Sequence, residues 1–391
     1  MTTAAVRERD MENIAWTVLL AAFVVFLLLL VGLPALGYWY LYTATDPHES
    51  TLTVLSGTVI VDVPGRDATG ERGTRMVPEG STIRTDANTR VNLGLFDGST
   101  VTILPESQVT LAQMQTPRFA LNPALRQARL DVHSGRVRLD IAPSDIPRGF
   151  AVTTPHGEAQ FQPGYYTVEA TSAQADVSAS DGGVVLRTRS GELAVSGPGR
   201  ARLKNGEPPH GPLPPKRDLV IGDRWIPYND QGSDGGKQDG AVLFETVGNR
   251  PVAHFVRQNS GGDHAETGIK QIINQDVADA DSLLLHFDVL LKNQSLSGGG
   301  FKSSEFPLMV RVDYRDVRGG ETFWVHGFYY QNDGSYAIYN GEHIPQGQWY
   351  PYETRELAGL NTKIARIISI QIFGSGWDFD SAVSDAQLIV E

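Results

Sequence analysis

The side chains best suited to chemistry in this sequence alternate with apolar residues in its C-terminal part. Successive residues of a strand face opposite sides, so neighbouring strands would bring these polar side chains together on one sheet surface. Charged groups that hydrogen-bond to adjacent hydroxyls, and flat rings that stack on apolar ring faces, are what a sugar site uses. The candidate ligand residues are His286, Asp288, Arg311, Asp313, Trp324, His326, Tyr330 and Gln371.

The same alternation is also typical of the solvent-facing side of an ordinary antiparallel sheet. Such a face carries polar residues and cross-strand ion pairs without binding a ligand. Aromatic residues, in addition, are the usual filling of β-sheet cores. Both interpretations remain open at the level of the sequence, and they differ in whether the polar side chains converge.

Metal and catalytic chemistry leave weaker traces in the sequence. The nine histidines are scattered, and no two have the spacing of a helical zinc pair. Three acidic clusters could supply oxygen ligands to calcium, and the candidate set is Asp378, Asp380 and Asp385. No nucleophile with its base, and no pair of glycosidase carboxylates, can be identified. We therefore expect a non-enzymatic protein with no cofactor other than a structural calcium ion; a hydrolase with two carboxylates facing across a cleft is the alternative.

The composition excludes several classes of protein. The chain has 391 residues, which is long enough for two or three domains. Its formal net charge of -12 argues against a nucleic-acid partner, which would need a basic surface. Because the chain has no cysteine, disulfides, thiolate metal sites and thiol catalysis are excluded. With 41 glycines and 22 prolines it is typical of a turn-rich all-β protein.

A nearly continuous apolar segment follows residues 1–13. About 20 such residues cross a bilayer as a helix, and aromatic residues mark its far end, so residues 14–42 are predicted to be a transmembrane helix with an interfacial aromatic belt. Arg7 and Arg9 precede the segment, and no lysine or arginine follows it until Arg66. The positive-inside rule then predicts a single-pass protein with a cytoplasmic N-terminus and an extracytoplasmic bulk. A cleaved signal peptide is the alternative, although its apolar region is usually about 7–15 residues long.

Residues 51–196 are predicted to form short β-strands separated by turns rich in glycine, proline and aspartate. Phe96–Ser99 and Val132–Gly135 have the composition of hairpin connections. Three motifs follow one another in this region, namely GSTIRT from Gly80, LFDGSTVTILPES from Leu95 and FAVTTP from Phe150.

In this order the three motifs resemble those of FecR-type extracytoplasmic domains. The resemblance covers residues 51 to about 190 and implies an all-β domain outside the membrane. The chain departs from the family pattern at Gly164–Thr167 and at Ser180–Val184. The resemblance also implies regulation of an extracytoplasmic-function sigma factor through a cytoplasmic domain. Residues 1–13 are too few to bury a core, so a partner would have to supply that domain.

Six prolines make residues 197–217 a predicted extended linker. Long strands without helical periodicity then predict a two-sheet β-sandwich over residues 218–391, which loosely resembles jelly-roll modules of the galactose-binding-like kind. The predicted core residues of this sandwich are Leu283, Leu285, Phe287, Val289, Leu291, Leu308, Val310, Val312, Tyr314, Ile368, Ile370 and Ile372.

These features together predict an all-β, membrane-anchored extracytoplasmic protein that senses or binds. Its C-terminal module would bind a saccharide or another envelope polymer. The alternative is a structural or scaffold protein of the cell envelope, in which sheet edges and tyrosine-rich surfaces mediate protein–protein contacts.

Overall fold

The structure is a computed structural model. It describes residues 3–122, 126–144, 149–230, 240–247, 250–300, 304–334, 337–355, 357, 360 and 362–390, with the backbone alone at 3–15 and 230. The described chain consists of one N-terminal helix followed by β-strands, which confirms the predicted all-β class with a single apolar helix.

Helix α1 (Thr3–Thr43) contains the predicted apolar segment. Its stretch Trp16–Thr43 has 28 residues with a mean hydropathy of 2.9, which makes it long and apolar enough to cross a membrane. Pro34 lies inside the helix, where its missing N–H removes one backbone hydrogen bond. At the C-terminal end the rings of Tyr38 and Tyr42 stack 5.7 Å apart.

The chain forms two compact units, and the helix belongs to the first. The first comprises the chain up to Leu52, Ile60–Thr85 and Asn92–Pro212, and the second comprises Thr53–Val59, Asp86–Val91 and Leu213–Glu391.

Eighteen described strands, up to Leu213, are joined by hydrogen bonds into one closed system. They are β1 (Thr45–Pro47), β2 (Ser50–Ser56), β3 (Val59–Asp62), β4 (Thr69–Glu71), β5 (Thr74–Val77), β6 (Thr82–Arg84), β7 (Arg90–Gly94), β8 (Thr100–Ile103), β9 (Gln108–Pro117), β10 (Gln127–Ile141), β11 (Gly149–Thr154), β12 (Gly157–Phe161), β13 (Gly164–Ala170), β14 (Ala175–Ala179), β15 (Gly183–Thr188), β16 (Gly191–Ser196), β17 (Gly199–Leu203) and β18 (His210–Leu213).

The predicted connection at Phe96–Ser99 is a turn between β7 and β8. Gly98 has a φ of +84°, which a residue with a side chain rarely adopts, and its N–H donates to the carbonyl of Leu95. The backbone N–H of Ser99 donates to Oδ1 of Asp97 at 2.9 Å. The aspartate–glycine pair thus closes the turn in the way its composition predicts.

The prediction of a hairpin at Val132–Gly135 is wrong, because strand β10 continues through these residues. The first half of β10 pairs with β9 and β11, and the second half pairs with β8 and β13. Its pairing with β9 shifts register between Val132 and Ser134. Gly135 has a φ of +92°, and a Cβ there would lie 2.3 Å from Ser107 Oγ. The glycine therefore marks a bulge at which the strand bends, not a turn.

The linker predicted at 197–217 is likewise corrected by the structure. β17 pairs with β14, and its residues Ala201 and Leu203 are fully buried. β18 occupies His210–Leu213. The alternation of apolar residues in β17 outweighs the neighbouring prolines, because Pro208 and Pro209 fall between the strands, where no ladder hydrogen bond is needed.

The second unit contains a β-sandwich of two sheets. Its strands are β19 (Arg217–Asp218), β20 (Ile226–Asp230), β21 (Ala241–Val247), β22 (Arg250–Arg257), β23 (Ala265–Asp276), β24 (Leu283–Gln294), β25 (Leu308–Asp316), β26 (Glu321–Tyr329), β27 (Gly341–His343), β28 (Tyr350–Thr354), β29 (Ile364–Gly376) and β30 (Phe379–Val390). Sheet A has the order β21-β22-β30-β24-β28, with β19 also paired to β30, and sheet B has the order β20-β23-β29-β25-β26-β27. This arrangement confirms the predicted jelly-roll-like sandwich.

The core of the sandwich is built by alternate residues of both sheets. Sheet A contributes Phe287, whose ring centroid lies 5.7 Å from that of Phe328 in sheet B and 5.2 Å from that of Tyr352. All but one of the predicted core residues are buried in this cluster. Ile368 is the exception, because a register shift in the pairing of β25 with β29 turns Ile367 inward in its place.

Replacing Phe287 by alanine should lower the free energy of unfolding of the second unit by about 3–5 kcal/mol, because a fully buried ring is removed from a packed core. Trp225, Trp324, Trp349 and Trp377 all lie in this unit and none lies in the strands of the first, so tryptophan fluorescence during urea unfolding of the full chain reports on it. Val317→Ala, at an exposed turn position, is the control and should change little. Equal unfolding midpoints for the two variants would contradict this packing.

Candidate functional site

The eight candidate ligand residues do not share one surface. Neighbouring strands were expected to bring them together, but β24 lies in sheet A whereas β25, β26 and β29 lie in sheet B. They fall into three groups: His286 and Asp288 on the outer face of sheet A, Arg311, Asp313 and Gln371 on the outer face of sheet B, and Trp324, His326 and Tyr330 against the core.

The three residues on sheet B lie side by side because of the strand register. Arg311 pairs with Gln371 of β29, and Asp313 pairs with Ser369 of the same strand. Residues paired directly across two antiparallel strands point to the same face. Their neighbours Val310 and Val312 are buried in the core, so this polar set faces outward.

Asp313 is the centre of a hydrogen-bonded cluster on this face. Its Oδ1 accepts from Nε of Arg311 at 2.8 Å. Its Oδ2 accepts from Oγ of Ser369 at 2.6 Å and from Nε2 of Gln371 at 2.9 Å. Burial alone would raise the pKa of Asp313, but these hydrogen bonds to its carboxylate outweigh it, so the pKa lies below its usual value. The carboxylate therefore stays ionised and held in one orientation.

An aromatic residue that the sequence analysis missed completes this face. Phe323 is paired with Asp313, its side chain is 51% exposed, and the guanidinium of Arg311 lies 4.2 Å from its ring centroid. On the other side of β29, strand β23 adds Ile272, which is paired with Ser369 and whose side chain is 59% exposed. We call this surface the sheet B face, and its residues in two rows are Lys270, Gln371, Arg311 and Val325, and Ile272, Ser369, Asp313 and Phe323.

Trp324 and His326 point the opposite way, and the register explains why. Val312 is paired with Trp324 and Val310 with His326, so both aromatic side chains lie on the core side of sheet B. The His326 ring stacks on the rings of Trp324 and Tyr352, with centroid distances of 5.9 Å and 5.0 Å. The sequence shows which residues of β26 alternate, but it does not show which of its two faces adjoins Arg311. Counting the pairing from the turn at Asp316–Gly320 would have identified Phe323.

Tyr330 is also a structural residue in this arrangement. Its hydroxyl accepts from the backbone N–H of Gln294 at 3.0 Å, and its own N–H donates to Oε1 of Gln294 at 2.9 Å. The side chain packs against the sandwich core. It therefore ties the end of β26 to β24 and does not belong to the sheet B face.

His286 and Asp288 form a second polar cluster on the outer face of sheet A. Both side chains are buried, and Arg250 donates to Oδ2 of Asp288. Asp385 and Glu353 lie beside His286. Nearby, Asp218 accepts from the backbone N–H groups of Val220 and Leu388, and burial raises the pKa of Asp218.

The three calcium candidates of the sequence are not brought together. Oδ1 of Asp378 accepts from the backbone N–H of Ser260 at 2.9 Å, and Oδ1 of Asp380 lies 2.7 Å from Nε2 of His254. Asp385 lies five residues beyond Asp380 on the same strand, which is about 17 Å for an extended chain. Asp378 directly precedes this strand, so the structure holds the three carboxylates at separate positions and does not bring this candidate set together.

Comparison with known proteins supports the resemblance in the first unit. Residues 81–185 match the family model described as FecR protein. The chain therefore contains a FecR-type region inside the predicted span 51–196. No curated protein matches the chain.

Several solved structures are similar to parts of the chain. A protein named as an anti-sigma factor from Parabacteroides distasonis ATCC 8503 is 14% identical over 32% of this chain and 55% of its own length, with a TM-score of 0.26. The family 11 carbohydrate-binding module of cellulase Lic26A-Cel5E from Clostridium thermocellum is 14% identical over 45% of this chain and 94% of that one, with a TM-score of 0.27. A family 30 carbohydrate-binding module is 13% identical over 44% of this chain and 87% of its own length, also with a TM-score of 0.27. Similarities at this level identify no ligand for this chain.

The stability contributed by Asp313 should depend on pH. Because the pKa of Asp313 is lowered in the folded chain, its contribution is fully present above the unfolded value of about 3.9 and is lost as the pH falls through the folded value. Asp313→Asn should therefore destabilise the second unit at pH 7, and the difference from the unsubstituted protein should shrink below about pH 4. Urea unfolding followed by tryptophan fluorescence measures it, with Asp223→Asn at an exposed turn as control. A difference that stays constant from neutral to acid pH would contradict the cluster.

Proposed function

We propose that this chain is a membrane-anchored, non-enzymatic binding protein of the cell envelope. Helix α1 anchors it with the N-terminus in the cytoplasm, and both β units are extracytoplasmic. The sheet B face of the second unit binds a saccharide, and the FecR-type region belongs to the sensing apparatus that responds to it.

The observation that carries the proposal is the cluster around Asp313 beside the exposed ring of Phe323. A saccharide presents adjacent hydroxyls that need both donors and acceptors, and patches of C–H that stack on an aromatic ring. Arg311 and Gln371 supply donors, Asp313 supplies an ionised acceptor, and Phe323 supplies the ring. These polar groups are already oriented by one another, so a ligand would not have to order them.

The position of the cluster on paired strands adds to this argument. Arg311, Asp313 and Gln371 belong to strands β25 and β29, and the polar groups sit in adjacent rows. Side chains on regular strands are held more precisely than side chains on loops. A face of this kind suits an extended polymer, whose successive residues would lie along the rows.

The anchoring part of the proposal is supported by the composition of the N-terminal segment. The apolar stretch Trp16–Thr43 is followed by no lysine or arginine until Arg66, whereas Arg7 and Arg9 precede it. The positive-inside rule then orients the helix with its N-terminus in the cytoplasm. The membrane and an envelope saccharide are thus the proposed partners, and nucleic acid is not.

An alternative function, a scaffold that binds another protein, is favoured by one specific observation. Strand β21 lies at an edge of sheet A, and its residues Leu243 and Phe244 are 47% and 58% exposed. Exposed apolar residues on an edge strand are suited to strand addition by a partner. The binding experiment below separates the two functions, because a scaffold would not retain polysaccharide through Arg311 and Phe323.

Saccharide binding can be tested with the full chain in detergent. We expect retention on at least one of a panel of insoluble or gel-embedded polysaccharides, including β-glucans and peptidoglycan. Phe323→Ala and Arg311→Ala should each weaken it about tenfold, equivalent to about 1.4 kcal/mol, because the stacking ring or the charged donor is lost. The matched control is Arg187→Ala, which removes an exposed arginine paired with Glu192 in the first unit. A folded chain that no polysaccharide retains, or variants that bind as the control does, would refute this function.

Membrane topology can be tested because the chain has no cysteine of its own. A single cysteine at exposed Ser190 should react with a membrane-impermeant maleimide on intact spheroplasts. A single cysteine at Ala5 should react only after the membrane is permeabilised, because the positive-inside rule places it in the cytoplasm. Labelling of both positions on intact spheroplasts, or release of the Ser190→Cys protein as a soluble chain without α1, would show that the anchor is assigned wrongly.

A further inference from the structure

A buried histidine on sheet A is surrounded by carboxylates on three sides. His286 is 2% exposed and faces away from the sandwich core, because its neighbours Leu285 and Phe287 are core residues. Its Nε2 lies 3.3 Å from Oδ2 of Asp385 and 3.8 Å from Oδ1 of Asp288. Its Nδ1 lies 3.9 Å from Oε2 of Glu353.

Neither ring nitrogen of His286 makes a hydrogen bond with any residue that the structure describes. A buried polar group without a hydrogen bond is unfavourable by about 1–3 kcal/mol, so its persistence requires a reason. The 3.3 Å between Nε2 and Asp385 is the separation expected between two ligands of one metal ion, and the 3.8 Å between Nε2 and Asp288 is slightly longer. With metal–ligand bonds of about 2.0–2.2 Å, the donor atoms of a four-coordinate site lie about 3.3–3.6 Å apart.

The backbone around Asp385 is shaped to bring its carboxylate to this ring. The pairing of β24 with β30 shifts register between His286 and Asp288, and Asp385 lies in the bulge with a φ of +52°. Few residues other than glycine adopt this conformation, and bulges often re-aim a side chain. Without the bulge, the strict alternation of β30 would not direct Asp385 to the same point as Asp288.

The charges of the cluster also favour a cation. Asp288, Asp385 and Glu353 carry three negative charges, and Arg250 supplies one positive charge to Asp288. Arg250 binds Oδ2 of Asp288, while Oδ1 is the atom nearer to His286. Glu353 lies on the Nδ1 side of the ring at 3.9 Å, so it adds negative charge there without a hydrogen bond to the ring. The side chain of Asp385 is 40% exposed, which gives an ion access from solvent.

We propose that His286 Nε2, Asp288 and Asp385 bind a divalent transition metal ion of the zinc class, with a fourth position open to water or to a ligand. One ligand atom of each of His286, Asp288 and Asp385 can be chosen so that all three lie within 4.8 Å of one another. An imidazole ligand favours zinc over calcium, which takes oxygen ligands. The ion would cross-link β24 to the bulge of β30. This site is independent of the sheet B face, since its residues lie on the other sheet.

The site can be tested by metal content and metal-dependent stability of the full chain in detergent. After chelation, dialysis against zinc and removal of free ion, the unsubstituted protein should retain one zinc ion per chain by mass spectrometry, and zinc should raise the unfolding temperature measured by tryptophan fluorescence. His286→Gln and Asp385→Asn should lose both effects. His254→Gln is the matched control, because His254 lies on the same face of sheet A but is bonded to Asp380 at 2.7 Å.

Three results would overturn the proposal. The unsubstituted protein could retain no zinc, it could bind calcium in preference to zinc, or His286→Gln could retain as much zinc as His254→Gln. If His286→Gln does not fold, Asp385→Asn decides, because its more exposed side chain can be replaced with less disturbance of packing. No saccharide is present in these experiments, so their outcome tests the metal site independently of the proposed saccharide binding.

Discussion

The antiparallel register of β25 with its neighbours β26 and β29 is the constraint on which the outer surface of sheet B depends. It places Arg311 beside Gln371, and Asp313 between Ser369 and Phe323. Because side chains alternate, a shift of one residue would exchange this polar set for the valines that now fill the core. The buried valines and isoleucines therefore hold the register, and the register holds the hydrogen bonds to Asp313. Core packing and candidate binding surface are two consequences of one pairing.

Local breaks in this alternation serve a second purpose. The shift near Ile367 lets the core remain filled while Ser369 stays on the outer face next to Asp313. The bulge at Asp385 directs a carboxylate towards His286 on the other sheet. In the first unit, the bend at Gly135 allows β10 to pair with four different strands. These three bulges occur where a strand presents a side chain or changes partners.

The two polar surfaces of the sandwich differ in physical character. The sheet B face has an ionised carboxylate that accepts three hydrogen bonds and an exposed ring beside it, and it is the surface that we propose binds a saccharide. The cluster on sheet A has a histidine that hydrogen-bonds to no residue within the described part of the chain and is surrounded by carboxylates, and it is the proposed cation site. Low-dielectric surroundings increase the strength of charge interactions at His286, whereas the open position of Phe323 allows stacking with little desolvation of charge.

The sequence by itself determined the features that depend on one segment at a time. The apolar length of α1, the alternation of core residues such as Leu285 and Val310, and the turn at Asp97–Gly98 are all readable locally, because a helix span, a strand face and a turn are set by neighbouring residues. The polar partners of Asp313 were also readable as residues of outer faces. Only the tertiary structure decided that His286 and Arg311 lie on different sheets and that Phe323, not Trp324, adjoins Arg311. It also decided that the carboxylate of Asp385 lies beside His286 and not beside Asp380. Those outcomes depend on which distant strands pair, in which register, and where one extra residue forms a bulge, and no local pattern carries that information.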